Sequence, residues 1–416
     1  MDLRLSTFRF SKIISLSPLS TIKFRHYQSS KFFTIRSNLP FSSQKAKHYK
    51  ELEAAVNVVH RACRISVDVQ KSLFSDDGRV LEKNDNTPVT IADFSVQALI
   101  SLELEKHFPG IPLVAEEDSA FLRSNNLADA VVKVVKDHTS FPREHLTDNK
   151  VLAAIDRGGS NAIAFESKPA TYWVLDPIDG TRGFLKGGSA LYVVGLALIV
   201  EGETVLGVMG CPNWRDNPLN ESLIDVKECL KEESTRGIIM VAHLGCGTWK
   251  SKLSDSFGGL MSKDNFWERC FVDGSSVVHE ARFCIPESQK WDSIPLSNSL
   301  SATTNPNNLG EKQVLLLPTC CGSLCKYLTI ASGRASVFIV RARTRTIMKA
   351  WDHVVGMICV LEAGGKVSDW SGSEIDLAAD ETARRVISPS GGVLVSNGTL
   401  HDQILELLSS KSSVVS

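Results

Sequence analysis

Long apolar runs are scarce in this chain. The longest purely aliphatic stretch, Val193–Val200, is broken by Gly195. It falls far short of the roughly 18 residues a membrane helix needs and reads as a buried strand. Net charge is nearly absent as well: 46 Lys+Arg face 47 Asp+Glu, leaving −1. No global basic excess therefore points to a nucleic-acid polymer as partner. The ten cysteines contain no C-x-x-C pair and no zinc-type spacing, which favours free, mostly buried thiols in a reducing compartment. The adjacent Cys320 and Cys321, followed by Cys325, are assigned no role, and a redox-regulatory disulfide stays open as the alternative. Internal repeats are missing too. With 43% hydrophobic and 22% charged residues, the chain is neither disordered throughout nor fibrous. Its 416 residues suffice for two or three domains of roughly 100–200 residues.

Acid is missing from one place in particular. Residues 1–48 hold nine Lys/Arg and ten Ser but a single acid, Asp2. Basic, Ser-rich and acid-poor composition is that of an organelle transit peptide. No apolar core of the length a secretory signal requires follows the first basic residues. Arginines recurring between apolar residues favour the mitochondrion, with the plastid as the alternative. The expected division is therefore a leader over 1–48, an N-terminal α+β domain over 49–220 and a C-terminal α/β domain over 221–416.

Periodicity places a long amphipathic helix over Leu52–Leu73 and another over about Phe94–His107, with extended chain at Pro88–Ile91 before it. A short strand at Ile111–Ala115 leads into Glu116-Glu117-Asp118. The polar stretch from Ser119 to about Asn149, helical over Leu127–Lys136, reads as a lid or insertion. A strand at Tyr172–Leu175 runs into Asp176, and a hairpin joins Leu191–Val200 to Thr204–Gly210 through Glu201-Gly202-Glu203. Strand-like runs at Gly237–Val241 and Phe271–Val278 follow. Then come helix Ser323–Ser332, strand Ala335–Val340, helix Asp352–Glu362, strand Gly392–Ser396 and helix Leu400–Leu408. Hairpins mixed with alternating helices and strands fit a layered α/β sandwich better than a strict βαβ array.

Five acids share one context: each ends an apolar run beside a turn or helix start. They are Asp93 (VTIAD), Glu116 (PLVAEED), Asp176 and Asp179 (WVLDPIDGT) and Asp352 (KAWDHVVG). Asp disfavours strand interiors, and at the carboxyl end of a strand it faces the edge where α/β folds bind ligands. Two carboxylates about 4 Å apart repel by roughly 4 kcal/mol at an effective dielectric near 20. A convergence of such groups therefore needs cations. All-oxygen donors without His or Cys suit Mg²⁺. In Asp176-Pro177-Ile178-Asp179-Gly180-Thr181, two carboxylates stand three residues apart, and the Ile178 carbonyl offers a neutral oxygen. Gly180 permits close backbone approach. Thr181 can open a helix whose N–H groups meet an anion. Metal ligands and a phosphate cradle thus adjoin within six residues.

WVLDPIDGT, VAEED, PVTIAD and AWDHVVG…LEAGG, in this order from Pro88 to Gly365, resemble the motifs of the inositol monophosphatase superfamily. Within it, NTPVTIADFSVQAL, DPIDGTRGFLKGG and GSLCKY are similar to the 3′(2′),5′-bisphosphate nucleotidases. The resemblance implies an αβαβα sandwich and lithium-sensitive, Mg²⁺-dependent hydrolysis of a small phosphorylated nucleotide, adenosine 3′,5′-bisphosphate, with two or three ions. It implies a first ion on Glu116, Asp176 and the Ile178 carbonyl, and a second on Asp176, Asp179 and Asp352. Asp93 would lie near a third and activate the attacking water together with Thr181. Gly180 and Thr181 would hold phosphate oxygens, with Asp179 and Asp352 also facing substrate, and Glu117 would support the site from behind. Trp351 reads as packing, and Gly364-Gly365 as a helix end. Ser323, Lys326 and Arg341 would contact the nucleotide. Gly322 stands where the family pattern has Asp, Arg341 needs one extra residue to align, and the family's His-rich segment has no counterpart around Ser288–Ser293. The competing readings are a phosphatase of inositol phosphates or another small phosphomonoester, and a catalytically silent nucleotide-binding protein. No membrane partner is expected, and monomer and homodimer stay open.

Overall fold

The structure is a computed structural model that describes residues 39–75, 81–82, 88–139, 146–160, 162, 164–165, 170–188, 190–215, 237–253, 266–306, 310, 312–317, 319, 321–343, 347–378 and 380–409. The expected leader lies outside the described residues up to position 38.

Helix α1 (Tyr49–Ser75) forms where apolar residues recur every three or four positions, burying Leu52, Val56, Val59 and Cys63 along one face. Strands β1 (Leu81–Glu82) and β2 (Pro88–Val89) pair antiparallel. Thr90 then caps α2 (Ile91–His107). Helix α2 is buried nearly all round, because it is flanked by α1 on one side and by α4 (Ala128–His138) and α5 (Asp148–Asp156) on another. Between them lie β3 (Leu113–Ala115) and the short α3 (Ala120–Ser124). The expected lid is therefore corrected over its described residues. Leu122, Leu127, Val131 and Val135 are buried against Phe94 and Ala98, and their apolar stripe docks on α2 beneath a polar outer face.

A seven-stranded sheet follows the order β3, β4 (Tyr172–Asp179), β5 (Val193–Val200), β6 (Glu203–Cys211), β7 (Ile238–His243), β8 (Gly247–Lys252), β9 (Glu268–Arg269). Only β3 and β4 run parallel. Between β4 and β5 lies α6 (Thr181–Lys186). A second, six-stranded sheet is built from β10 (Arg282–Cys284), β11 (Ser301–Thr303), β12 (Gln313–Leu316), β13 (Val337–Arg341), β15 (Gly365–Asp369) and β17 (Gly392–Asn397), ordered β11-β12-β10-β13-β17-β15. The small pair β14 (Met348–Lys349) and β16 (Val386–Ile387) stands apart. Helices α7 (Leu324–Ala331) and α8 (Val354–Glu362) fill the space between the sheets, and α9 (His401–Ser409) covers the far side of the second.

The layers are thus α1/α2, sheet, α7/α8, sheet, α9: an αβαβα sandwich, as expected. Strand alternation builds it. Trp173 and Leu175 of β4 face α1 and α2, while Tyr172 and Val174 face α7 and α8. Two details differ from expectation. Phe271–Val278 forms no strand, because the Asp273 carboxylate gathers Ser275, Arg282, Ser336 and Asn397 around itself and bends the segment into a loop. Ordered chain also begins before Tyr49: Phe41 and Ala46 are buried in the α1 cluster, and the Phe41 ring centroid lies 6.1 Å from that of His243. No helix among the described residues is long and apolar enough to cross a membrane.

Because Phe41 belongs to the core, Phe41→Ala should cost about 3 kcal/mol of stability. Chemical denaturation of the variant beside the parent measures it. A loss below about 0.5 kcal/mol would mean the segment is not docked.

Candidate active site

Glu116 follows β3, and Asp176 and Asp179 close the parallel neighbour β4, so three carboxylates emerge from the same edge of the first sheet. In a regular strand, positions three apart face opposite sides. Here the register with β5 shifts: Asp176 pairs with Gly195 and Asp179 with Val193. That bulge inserts one extra residue and turns Asp179 to the side of Asp176. Pro177, which has no N–H to donate, sits inside the bulge, where a strand tolerates it. Asp352 arrives from the chain just before α8. Oxygens of Asp176, Asp179 and Asp352 lie within 4.8 Å of one another. Glu116 is outside that trio but close enough for its charge to act on Asp176 and Asp352.

Burial pushes the Asp176 carboxyl well above the usual range, and the charges of Glu116, Asp179, Asp352 and Asp93 push it further. Asp352 is raised likewise by burial and by Asp179 and Glu116, against a hydrogen bond with Asp176. Burial raises Asp179 to about 6, opposed by Lys326 and by hydrogen bonds from the backbone. Those bonds come from the start of α7. The Ser323 N–H donates to Asp179 Oδ1 at 2.9 Å, Leu324 N–H to Oδ2 at 2.7 Å and Cys325 N–H to Oδ2 at 3.4 Å. The positive end of a helix is thereby aimed at one member of a negative cluster.

Two glycines permit that approach. Gly180 has φ +87, and a Cβ there would stand 3.2 Å from the Gly322 nitrogen. Gly322 has φ +60, and a Cβ there would stand 2.2 Å from Asp179 Oδ2. Gly322 lets the chain pass over the Asp179 carboxylate.

Asp93 lies in the first turn of α2 and completes a capping box with Thr90, whose N–H and hydroxyl donate to Asp93 Oδ2 at 2.8 and 2.7 Å. Its other oxygen, Oδ1, stands 3.3 Å from the Thr181 hydroxyl, which is equally 3.3 Å from the Ile178 carbonyl. Asp93, Ile178 and Thr181 are therefore one unit.

The nucleotide candidates sit less simply. Ser323 is at the entrance to α7. Lys326 is buried, and its ammonium donates to the carbonyls of Gly322 at 2.7 Å and Cys321 at 3.3 Å, so it anchors the loop over Asp179. Arg341 is exposed at the end of β13, and its guanidinium donates to the Ser293 carbonyl at 2.9 Å. Trp351 is buried, and Gly364, at φ +89, follows the end of α8, both as expected. Seven described cysteines are free and most of them buried, as favoured, whereas Cys321 is disulfide-bonded, the alternative left open.

Sequence reasoning missed Gln97. It is fully buried on α2, accepts from the Glu117 N–H at 2.9 Å and donates to the Glu117 and Ile155 carbonyls at 2.6 and 2.8 Å. The amide splints the backbone just after Glu116. The available signal was an amide side chain four positions after Asp93, flanked by the apolar Val96 and Ala98.

The residues fit a divalent cation. The donors are all oxygens, the cluster carries excess negative charge, and the buried Asp176 Oδ1 has no hydrogen-bond partner. Fold and site define a layered α/β protein with a buried carboxylate cluster that could hold a cation. Comparison with known proteins narrows the class. The model of the inositol monophosphatase family matches residues 45–413, and the chain belongs to that family. An Arabidopsis thaliana protein named putative 3′(2′),5′-bisphosphate nucleotidase, mitochondrial, is 56% identical over 98% of this chain and 97% of its own length. Another from the same plant, 3′,5′-bisphosphate nucleotidase 2, is 34% identical over 86% of this chain and 95% of its own. Among solved structures, the extragenic suppressor protein SuhB of Bartonella henselae aligns with a TM-score of 0.52 at 18% identity, covering 87% of this chain and 99% of that one, a likeness of fold.

Two outcomes follow from the geometry. Folded-state values above the ordinary 3.8 for Asp176, Asp179 and Asp352 mean that the metal-free folded state holds more protons than the unfolded one. Their contribution to stability is then full below about 4 and is lost as pH rises; for Asp179 the loss is complete above about 6. A divalent cation replaces those protons, so MgCl2 should raise Tm more at pH 7.5 than at pH 5 in differential scanning fluorimetry. An equal rise at both values would contradict the cluster. Gly322→Ala should lower kcat/KM by about tenfold or more, because its Cβ displaces Asp179 and adds roughly 1–2 kcal/mol of left-handed strain; steady-state kinetics measures this.

Proposed function

We infer that the chain is a Mg²⁺-dependent phosphatase that removes the 3′-phosphate of adenosine 3′,5′-bisphosphate. The observation that carries the reading is the gathering of Asp176, Asp179 and Asp352 oxygens within 4.8 Å, beside the hydrogen-bonded Asp93 and Thr181. Near-full-length identity of 56% to a relative named for this activity supports the substrate class over inositol phosphates.

Glu116, Asp176, the Ile178 carbonyl, Asp179 and Asp352 would hold two ions, with a third near Asp93. Bound there, Mg²⁺ supplies acidity to water and neutralises charge on the leaving oxygen. The chain's own residues do the rest. Thr181 Oγ1 donates to Asp93 Oδ1 and keeps lone pairs free to accept from the attacking water, so a proton can pass from water through Thr181 to Asp93. Thr90 holds Asp93 for that task. Gly180 and Thr181 N–H groups would meet the phosphate oxygens. Ser323 and Arg341 are proposed at the nucleotide end, with Lys326 acting there through the loop it anchors. The basic, Ser-rich beginning of the chain and the name of the 56% identical relative favour a mitochondrial destination over a plastid one.

Asp179→Asn should reduce turnover by about a thousandfold or more, because the cluster loses a charged ligand. Phosphate release is measured on adenosine 3′,5′-bisphosphate and on inositol 1-phosphate. Full activity in the variant would sink the site assignment. A preference of about tenfold or more for the inositol ester in kcat/KM would overturn the substrate. Millimolar Li⁺ should inhibit the same assay.

A further inference from the structure

The carboxylates come from two structural halves. Glu116 stands at the edge of the first sheet, whereas Asp352 leads into α8 between the sheets. On the ligand sets above, Glu116 would serve one ion and Asp352 the other, with Asp176 common to both, so their separation sets the spacing of the two ions and must be held to within about half an ångström. One side chain spans the two segments. Arg385, just before β16, donates from Nη2 to the Ala115 carbonyl at 2.7 Å and to the Glu116 carbonyl at 3.4 Å, and from Nη1 to the Gly158 carbonyl at 2.9 Å. The same Gly158 carbonyl accepts the Ala115 N–H at 2.8 Å. On the other side, the guanidinium carbon lies 4.7 Å from the centroid of the Trp351 ring. Trp351 is buried and immediately precedes Asp352. The Arg385 carbonyl also accepts the Ala350 N–H at 2.9 Å, while the Asp380 carboxylate receives the Arg385 N–H at 3.0 Å.

A planar guanidinium suits this place. Its fork reaches carbonyls of adjoining segments while its face stays on an indole, which an ammonium cannot do. It also places positive charge behind Glu116 without occupying the carboxylate. We propose that Arg385 is a positioning residue of the phosphatase site, setting the spacing of the Glu116 and Asp352 segments and hence of the two ions they would hold. This rests on the metal reading above.

Arg385→Met keeps the stem and loses the fork; Arg385→Lys keeps the charge. Calorimetric titration of purified protein with MgCl2 should show affinity weakened by about tenfold or more in Arg385→Met, with a smaller loss in Arg385→Lys. The Mg²⁺ concentration for half-maximal hydrolysis of adenosine 3′,5′-bisphosphate should rise in parallel. At saturating Mg²⁺, KM should stay within about threefold and kcat should largely recover, and Tm without metal should fall by only a few degrees. Unchanged Mg²⁺ affinity in a folded variant overturns the proposal, and so does collapse of both variants without metal, which would mark Arg385 as purely structural. If the parent protein itself takes up no Mg²⁺, the metal reading fails instead.

Discussion

Repulsion among carboxylates that the fold forces together governs this molecule. Asp176 and Asp179 are buried, Asp352 partly so, and each charge raises the cost of the others. The chain answers with partial positive charge from several directions. The first N–H groups of α7 point at Asp179, Lys326 stands behind the loop that delivers them, and Thr181 lies against Asp93. None of these neutralises Asp176, whose inner oxygen has no partner. The remaining charge is what a divalent cation would balance, so the cluster is unfavourable by itself and would favour such an ion.

Geometry converts that imbalance into a usable centre. A bulge in β4 sets Asp176 and Asp179 on one side, and a left-handed glycine on each of two touching loops lets α7 begin where Asp179 ends. The supporting layer is backbone-directed. Gln97 and Arg385 both grip main-chain groups around Glu116, which holds the backbone that carries its carboxylate. Three structural units thus meet at one point: the edge of the first sheet, the middle helix layer and the β14/β16 pair.

Much of this was legible from residues alone. Three- to four-residue apolar spacing located most of the helices, and two continuous apolar runs located the β5/β6 hairpin, because strands covered by helices on both faces are apolar on both sides. Asp-Pro-Ile-Asp-Gly-Thr announced two carboxylates beside a helix start through local chemistry alone. The helical stretch after Ser119 misled, since a polar outer face looks the same on a lid as on a docked helix. Phe271–Val278 misled because only tertiary contacts turn Asp273 into the hub of a loop. The nucleotide candidates kept their places in the chain, yet Lys326 faces its own loop, a direction that no spacing encodes.

Sequence by itself determined which residues carry charge, which patterns make strands and helices, and that several acids stand where strands end, because these depend on composition and on neighbours a few positions away. Only the tertiary structure decided that Asp179 receives the α7 N-terminus, that Gly322 is required by a carboxylate 143 positions earlier in the chain, and that Arg385 reaches both Glu116 and Trp351. Those relations are distances across a packed interior, set by how two sheets and a helix layer close upon one another.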